Sequence, residues 1–147
     1  MSAQGAYSMA VLTYTLQLET QGDAHIIDLT PHVAKTISES ALQAGIVTLF
    51  VPGSTAALTT IEYEDGALQD FRRLFDEIAA ENRDYAHNRR WGDGNGHSHV
   101  RAALLGPSLT VPFADSKLLL GTWQQIIFVD FDNRPRQRMV IAQVMGE

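Results

Sequence analysis

The chain has 147 residues, 45% of them hydrophobic and 19% charged, which suits one domain able to bury a core without disulfide or metal staples. Acidic residues outnumber basic ones by 17 to 11, giving a formal net charge of -6, and no basic run with interleaved aromatics occurs, so long nucleic acid is excluded as a general partner. Cysteine is absent, which excludes disulfides, thiolate zinc sites and a cysteine nucleophile.

The first nine residues, MSAQGAYSM, lack the basic and apolar regions of a signal peptide, and residues 1–8 read as a flexible tail. No later apolar run approaches the roughly 20 residues that span a bilayer, so a cytoplasmic protein without membrane association is expected. From Met9 to Glu19, Leu12, Tyr14, Leu16 and Leu18 alternate with polar residues at the period of a half-buried strand. His25 to Leu29 reads as a second strand after the Gly22-Asp23 turn signal. Thr30 then reads as an N-cap with Pro31 at the first helical position, and Val33, Ile37, Ala41 and Ala44 keep helical spacing until Gly45 closes the helix. His32, in its first turn, reads as surface decoration.

Ile46 to Val51 is an apolar, β-branched run of buried-strand length that breaks at Pro52-Gly53, and Ala57 to Tyr63 resumes as a strand. Between them Ser54 and Thr55 offer hydroxyls and backbone N-H groups at a strand end, either as a small anion-binding turn or simply as a turn. Glu62, Glu64 and Asp65 supply either a general acid or base or a solvated acidic turn. Ala67 to Glu81 is a packing helix, with Leu68, Phe71, Leu74, Phe75, Ile78 and Ala79 on one stripe and Asp70 suiting the dipole of its first turn.

Near the C-terminus, Val100 to Leu105 reads as a short helix or apolar turn, and Leu109 to Pro112 and Leu118 to Leu120 as short extended pieces. Gly121 to Asp132 and Gln137 to Val144 read as two strands joined through Asn133-Arg134-Pro135 in a terminal hairpin. Arg134, Arg136 and Arg138 form either a patch for a small phosphate or a solvated strand face. Two main helices among about eight strands predict a single α+β domain over residues 1–147, a largely antiparallel sheet system, sandwich- or barrel-like, covered by those helices.

The stretch YAHNRRWGDGNGHSH, Tyr85 to His99, reads as a polar loop holding three of the five histidines, His87, His97 and His99. Residues at i and i+2 of extended backbone point to one side, so His97 and His99 are expected to face one point, with His87 brought back by Gly92, Gly94 and Gly96. Three imidazoles with an open water position make a divalent-metal site, zinc above all, that activates water or polarises a phosphate. The alternative is that these histidines hydrogen-bond backbone or face solvent. An EF-hand is excluded because positions 6 and 12 of the run starting at Asp93 are Ser98 and Leu104, where glycine and glutamate are needed. GDGNG follows no strand, so it is no dinucleotide fingerprint, and neither Ser54 nor Ser98 sits in a nucleophile elbow.

Taken together, Asp28-Leu29-Thr30, the STAALTTIE run through Glu62, Asp70, Tyr85-x-His87, Asp93-Gly94-Asn95, His99, Leu105-Gly106 and LGTWQ from Leu120 to Gln124 make the chain resemble the YjbQ-like family, also labelled secondary thiamine-phosphate synthase enzymes. That resemblance implies an α+β fold, a homotrimer with the polar loop near a subunit interface, and transfer of a pyrimidine diphosphate onto a thiazole phosphate. It implies a site of His87, His99, Glu62, Asp93, Asn95 and Gln124 acting on a small phosphorylated substrate. Many relatives carry a histidine where this chain has Gly53, and His97 is the residue expected to replace it. Two alternatives stand beside the transferase: a non-enzymatic metal or small-molecule binding module, and a metal-dependent hydrolase. Trp123 reads as a core or trimer-interface filler.

Overall fold

Strand alternation at the N-terminus reflects a sheet wetted on one side, and the unbroken apolar run of residues 126–129 reflects a strand buried on both. The computed structural model describes residues 8–147, so the expected tail lies outside the described residues apart from Ser8. Its elements are β1 (Ala10–Thr20), β2 (His25–Asp28), α1 (Thr30–Ser40), β3 (Gly45–Phe50), β4 (Ala56–Ile61), α2 (Asp65–Ile78), α3 (Ala86–Trp91), α4 (Gly96–Leu105), β5 (Ser108–Ala114), β6 (Lys117–Leu118), β7 (Gln125–Asp130) and β8 (Arg136–Gly146). Five strands form one sheet in the order β1-β8-β3-β5-β6 and three form another in the order β2-β7-β4, every pair antiparallel.

The expected α+β architecture is present, with four helices among the described residues in place of two. Leu18, Val47, Leu49, Val140, Ala142 and Val144 face Leu58, Ile126 and Phe128 across the gap between the sheets, and α1 seals that core with Leu29, Val33 and Ile37. Ile127 and Val129 point to the opposite side of β7, where they join Ile26, Ala57, Leu68, Phe75, Ala102 and Phe131 beneath α2 and α4. The three-stranded sheet is therefore covered on both faces, which selects Ile-Ile-Phe-Val in β7. Burial of Phe128, at 0% exposure, contributes about 1.5–3 kcal/mol.

Several boundaries differ from expectation for identifiable reasons. The terminal hairpin does not form: β2 and β4 occupy both edges of β7, so the chain leaves that sheet at Asp130 and enters the other between β1 and β3. Leu29, not Thr30, is the N-cap of α1, and the Thr30 hydroxyl instead accepts the Ile126 N-H at 2.9 Å, tying helix to sheet. That helix stops at Ala41, in the left-handed conformation with φ 59°, four residues before Gly45. Helix α2 begins two residues early because Glu64 caps it, accepting the Gly66 and Ala67 N-H groups at 2.6 and 2.9 Å. Those two bonds, the Gly66 one foremost, hold the Glu64 carboxyl below its ordinary value.

Gly45 is needed as a ladder residue rather than as a helix stop. It stands opposite Gly146, and a Cβ on it would lie 2.0 Å from the Met145 carbonyl oxygen, while one on Gly146 would lie 2.1 Å from that of Ala44. Gly45→Ala is expected to destabilise the fold by about 2 kcal/mol, high in the ordinary range for single substitutions. Urea midpoints measure this; an unchanged midpoint would show that the strand ends relax around the methyl group.

Candidate functional site

Residues 86–91 and 96–99 are helical where a loop was expected. Helices α3 and α4 are joined by a tight turn in which Gly92 and Gly94 both adopt φ 64°. A Cβ on Gly96 would stand 2.5 Å from Tyr85 Cβ, so only glycine lets the start of α4 lie against the start of α3. Asn88 Oδ1 accepts the Gly96 N-H at 2.8 Å and satisfies one of the free donors at that helix start.

Helical backbone reverses the expected histidine geometry, because residues two apart lie about 200° apart around the axis. His99 faces His87, their ring centroids 4.4 Å apart, whereas His97 turns inward and is 2% exposed. His97 lies one turn before buried Arg101, which donates to the Ala79 carbonyl at 2.9 Å and to Asp76 at 3.0 Å, so this stripe of α4 fastens the end of α2. The convergence of His87, His97 and His99 on one metal is thus corrected. Among the described residues no group of three or more histidine, aspartate and glutamate side chains is arranged to hold a metal ion. The three-histidine zinc set does not fit this geometry, and His97 does not stand in for a ligand at position 53.

What does assemble is a pair. His87 Nε2 lies 3.1 Å from Asp93 Oδ2, and Asp93 Oδ1 accepts the Asn95 N-H at 3.1 Å. The Asn95 amide, and after it the His87 ring, hold the Asp93 carboxyl below its ordinary value. An ionised carboxylate only accepts, so His87 presents its Nε2 proton to Asp93 and is held in one orientation. His99, beside it, opens onto a cleft of about 340 Å³ whose walls include Gly53, Ser54, Ala56, Ala102 and Pro107. These walls are largely apolar, and among the described residues His99 is the one titratable side chain in them.

The other expected site residues divide between supports and a distant cluster. Asn95 is 6% exposed, and its Oδ1 accepts the Asn133 N-H at 3.2 Å and meets the Ser98 hydroxyl at 2.5 Å, so it ties α4 to the β7–β8 connection. Thr55 is also buried, its hydroxyl donating to Asp132 at 2.9 Å and accepting from Arg138 at 2.6 Å, whereas Gly53 and Ser54 of that turn are exposed. Gln124 reaches Thr60 at 3.1 Å and lines a second cleft of about 320 Å³. Thr60 is four strand residues from Ala56, roughly 13 Å, so Gln124 sits well away from His99, and exposed Glu62 lies farther along the chain in the same direction. Trp123 is 74% exposed, which removes it from the core.

Sequence reasoning missed the most elaborate polar cluster in the molecule. Asp130 and Asp132, both 0% exposed, lie beneath the Gly53-Ser54-Thr55 turn. Asp130 accepts Arg138 Nε at 2.7 Å, Arg138 Nη2 at 2.9 Å and the Thr20 hydroxyl at 2.5 Å, while Asp132 Oδ2 accepts Arg136 Nε at 3.1 Å. Burial pushes the Asp132 carboxyl up, but hydrogen bonds from Arg136 and Thr55, with the Asn95 side chain nearby, outweigh it and leave the group below its ordinary value. Arg136 and Arg138 are therefore paired with buried carboxylates and do not form a solvated strand face. The signal was present as two aspartates at period two in an apolar strand, followed by two arginines at the same period.

Comparison with known proteins places the whole arrangement. The family described as UPF0047 protein YjbQ-like matches residues 14–147. The chain belongs to the YjbQ-like UPF0047 family. A UPF0047 protein of Archaeoglobus fulgidus is 37% identical over 130 residues, 88% of this chain and 98% of that one. One from Methanocaldococcus jannaschii is 32% identical over 137 residues, 92% and 96% of the two chains. The crystal structure of a YbjQ-like protein of unknown function from Sulfolobus solfataricus P2 superposes with a TM-score of 0.90 at 31% identity, covering 95% of this chain and 100% of that one.

In this YjbQ-like chain the inward histidine has a measurable signature. Burial first, and then the Arg101 charge, hold His97 below its ordinary value, with Glu81 and Asp23 opposing. The unfolded chain takes up a proton on this residue at a higher pH than the folded one. The stability it contributes is complete above about pH 6.5 and is lost as pH falls through that value toward the folded one. The wild type is expected to lose melting temperature more steeply than His97→Gln between about pH 7.5 and 5.5. Equal slopes would rule out His97 as the source, and the variant's metal content is expected to match that of the wild type.

Proposed function

We propose that this YjbQ-like protein is a cytoplasmic enzyme in which His87 and His99 act on a small phosphorylated substrate bound in the 340 Å³ cleft. The reaction is a transfer of the secondary thiamine-phosphate synthase type. The bond between the pyrimidine methylene carbon and the diphosphate oxygen breaks, pyrophosphate leaves with the electron pair, and the thiazole nitrogen bonds to that carbon. The observation that carries this reading is the Asp93-oriented His87 ring 4.4 Å from the His99 ring at the edge of the cleft. A pair of imidazoles so placed donates protons to the leaving pyrophosphate and stabilises its developing charge.

Gln124 and Glu62 stand too far from the cleft in one chain to touch the same small substrate, which supports a homotrimer whose neighbouring copies complete one another's sites. A steady-state assay with both thiamine precursors tests the reading, and mixing inactive His99→Ala and Gln124→Ala variants tests the sharing. Restored turnover in the mixture is expected if sites lie between copies. The apolar walls of the cleft favour one second reading, a non-enzymatic binding module. Stoichiometric binding of a phosphorylated ligand without turnover would establish it, whereas phosphatase or esterase activity abolished by chelator would point to a metal-dependent hydrolase.

A further inference from the structure

Arg138 carries five N-H donors, of which the buried cluster uses three. Nε donates to Asp130 Oδ2, and the two Nη2 protons go to Asp130 Oδ1 and to the Thr55 hydroxyl. Both Nη1 protons lack an acceptor among the described residues, and unlike His97 Nδ1 and Asp132 Oδ1 this nitrogen is not sealed from solvent. It faces Gly53: a Cβ built on that glycine would lie 3.5 Å from Nη1, with only Val51 Cγ1, at 3.8 Å, also within 4 Å. Gly53 in turn lines the same cleft as Ser54 and His99.

We infer that Arg138 Nη1, reached through the gap that Gly53 leaves, is the recognition point for a phosphoryl group of the substrate, with the Ser54 hydroxyl and His99 completing the donor set. This deepens the reading of the cleft proposed above and rests on it. The edge of the guanidinium that matches a planar carboxylate, Nε with Nη2, is already closed by Asp130. What remains is an end-on pair of donors toward Gly53, which shares its cleft with Ser54 and His99, and such a pair suits the oxygens of a tetrahedral centre. Asp130 and Thr55 are positioning residues in this scheme, because they hold the guanidinium with Nη1 toward Gly53.

Titration with inorganic phosphate, followed by the amide NMR signals of Gly53 and Ser54, tests the inference. Saturable shifts at both residues are expected in the wild type. Gly53→Val leaves every Arg138 bond in place and meets only ordinary contacts at Cβ, so it is expected to keep the wild-type melting temperature. Its side chain covers Nη1, and phosphate affinity is expected to fall at least about tenfold. Gly53→Ala, with one methyl group, is expected to give an intermediate loss. Wild-type affinity in Gly53→Val, absence of saturable shifts in the wild type, or equal competition by acetate would each overturn the assignment. Loss of phosphate binding in Gly53→Val without any precursor turnover in the wild type would sink the transfer reaction and leave the anion site standing. Turnover that depends on His99, with phosphate binding untouched in Gly53→Val, would do the reverse.

Discussion

Asp130→Ala is expected to destabilise the fold by about 3–5 kcal/mol, the cost of leaving a buried charge without its partner. Asp130 is 0% exposed and accepts four bonds, from Thr20, from Arg138 twice and from the Asp132 N-H at 3.0 Å. Its removal strands the Arg138 guanidinium, whose side chain is 13% exposed, with only Thr55 and a 3.5 Å approach to Asp132. A domain of this size is held by about 5–15 kcal/mol in all, so a melting-temperature loss on the order of 10 °C should follow. Removing both charges together, in Asp130→Leu with Arg138→Met, is expected to recover part of the loss, since a buried pair exchanged for apolar groups is often neutral. Urea unfolding of the single and double variants decides the matter. A single-variant loss below about 1 kcal/mol would mean that solvent reaches the pair.

His99→Ala should lower kcat/KM for precursor coupling by about 10² to 10⁴-fold, the usual worth of a positioned proton donor. The side chain is only part-buried and has no hydrogen bond to another side chain among the described residues, so the melting temperature should hardly move. His87→Ala is expected to match it, because the rings are adjacent and act on one leaving group. Asp93→Asn should cost less, as it keeps an oxygen for the His87 proton while withdrawing the charge that favours it. Full activity in both histidine variants would falsify the acid-base role and leave the cleft as a binding site only.

Much of the fold was legible in local pattern. Alternation of Leu12, Tyr14, Leu16 and Leu18 marks β1, the stripe from Leu68 to Ala79 marks α2, and the apolar run of residues 126–129 marks β7. Boundaries failed where a neighbour supplied the missing bond, as when Ile126 took the Thr30 hydroxyl and Glu64 capped α2. The Tyr85 to His99 stretch failed differently. Three glycines within five residues signal irregular backbone, yet Gly92 and Gly94 make the turn between two helices, and Gly96 allows those helices to touch. Once α4 is a helix, the alternation argument for His97 and His99 inverts, and one histidine becomes structural while the other keeps the cleft.

The residue order by itself determined the α+β class and the family, because periodicity and ordered motifs are local properties of the chain. Tertiary structure alone decided which side chains meet. It sent β8 to the other sheet because both edges of β7 were filled, and this transfer set Arg136 and Arg138 against Asp130 and Asp132. It also placed Gly53 over the unused end of Arg138. Charges 83 to 85 residues from that glycine have no local signature of proximity, since nothing but the packing of two sheets brings them there.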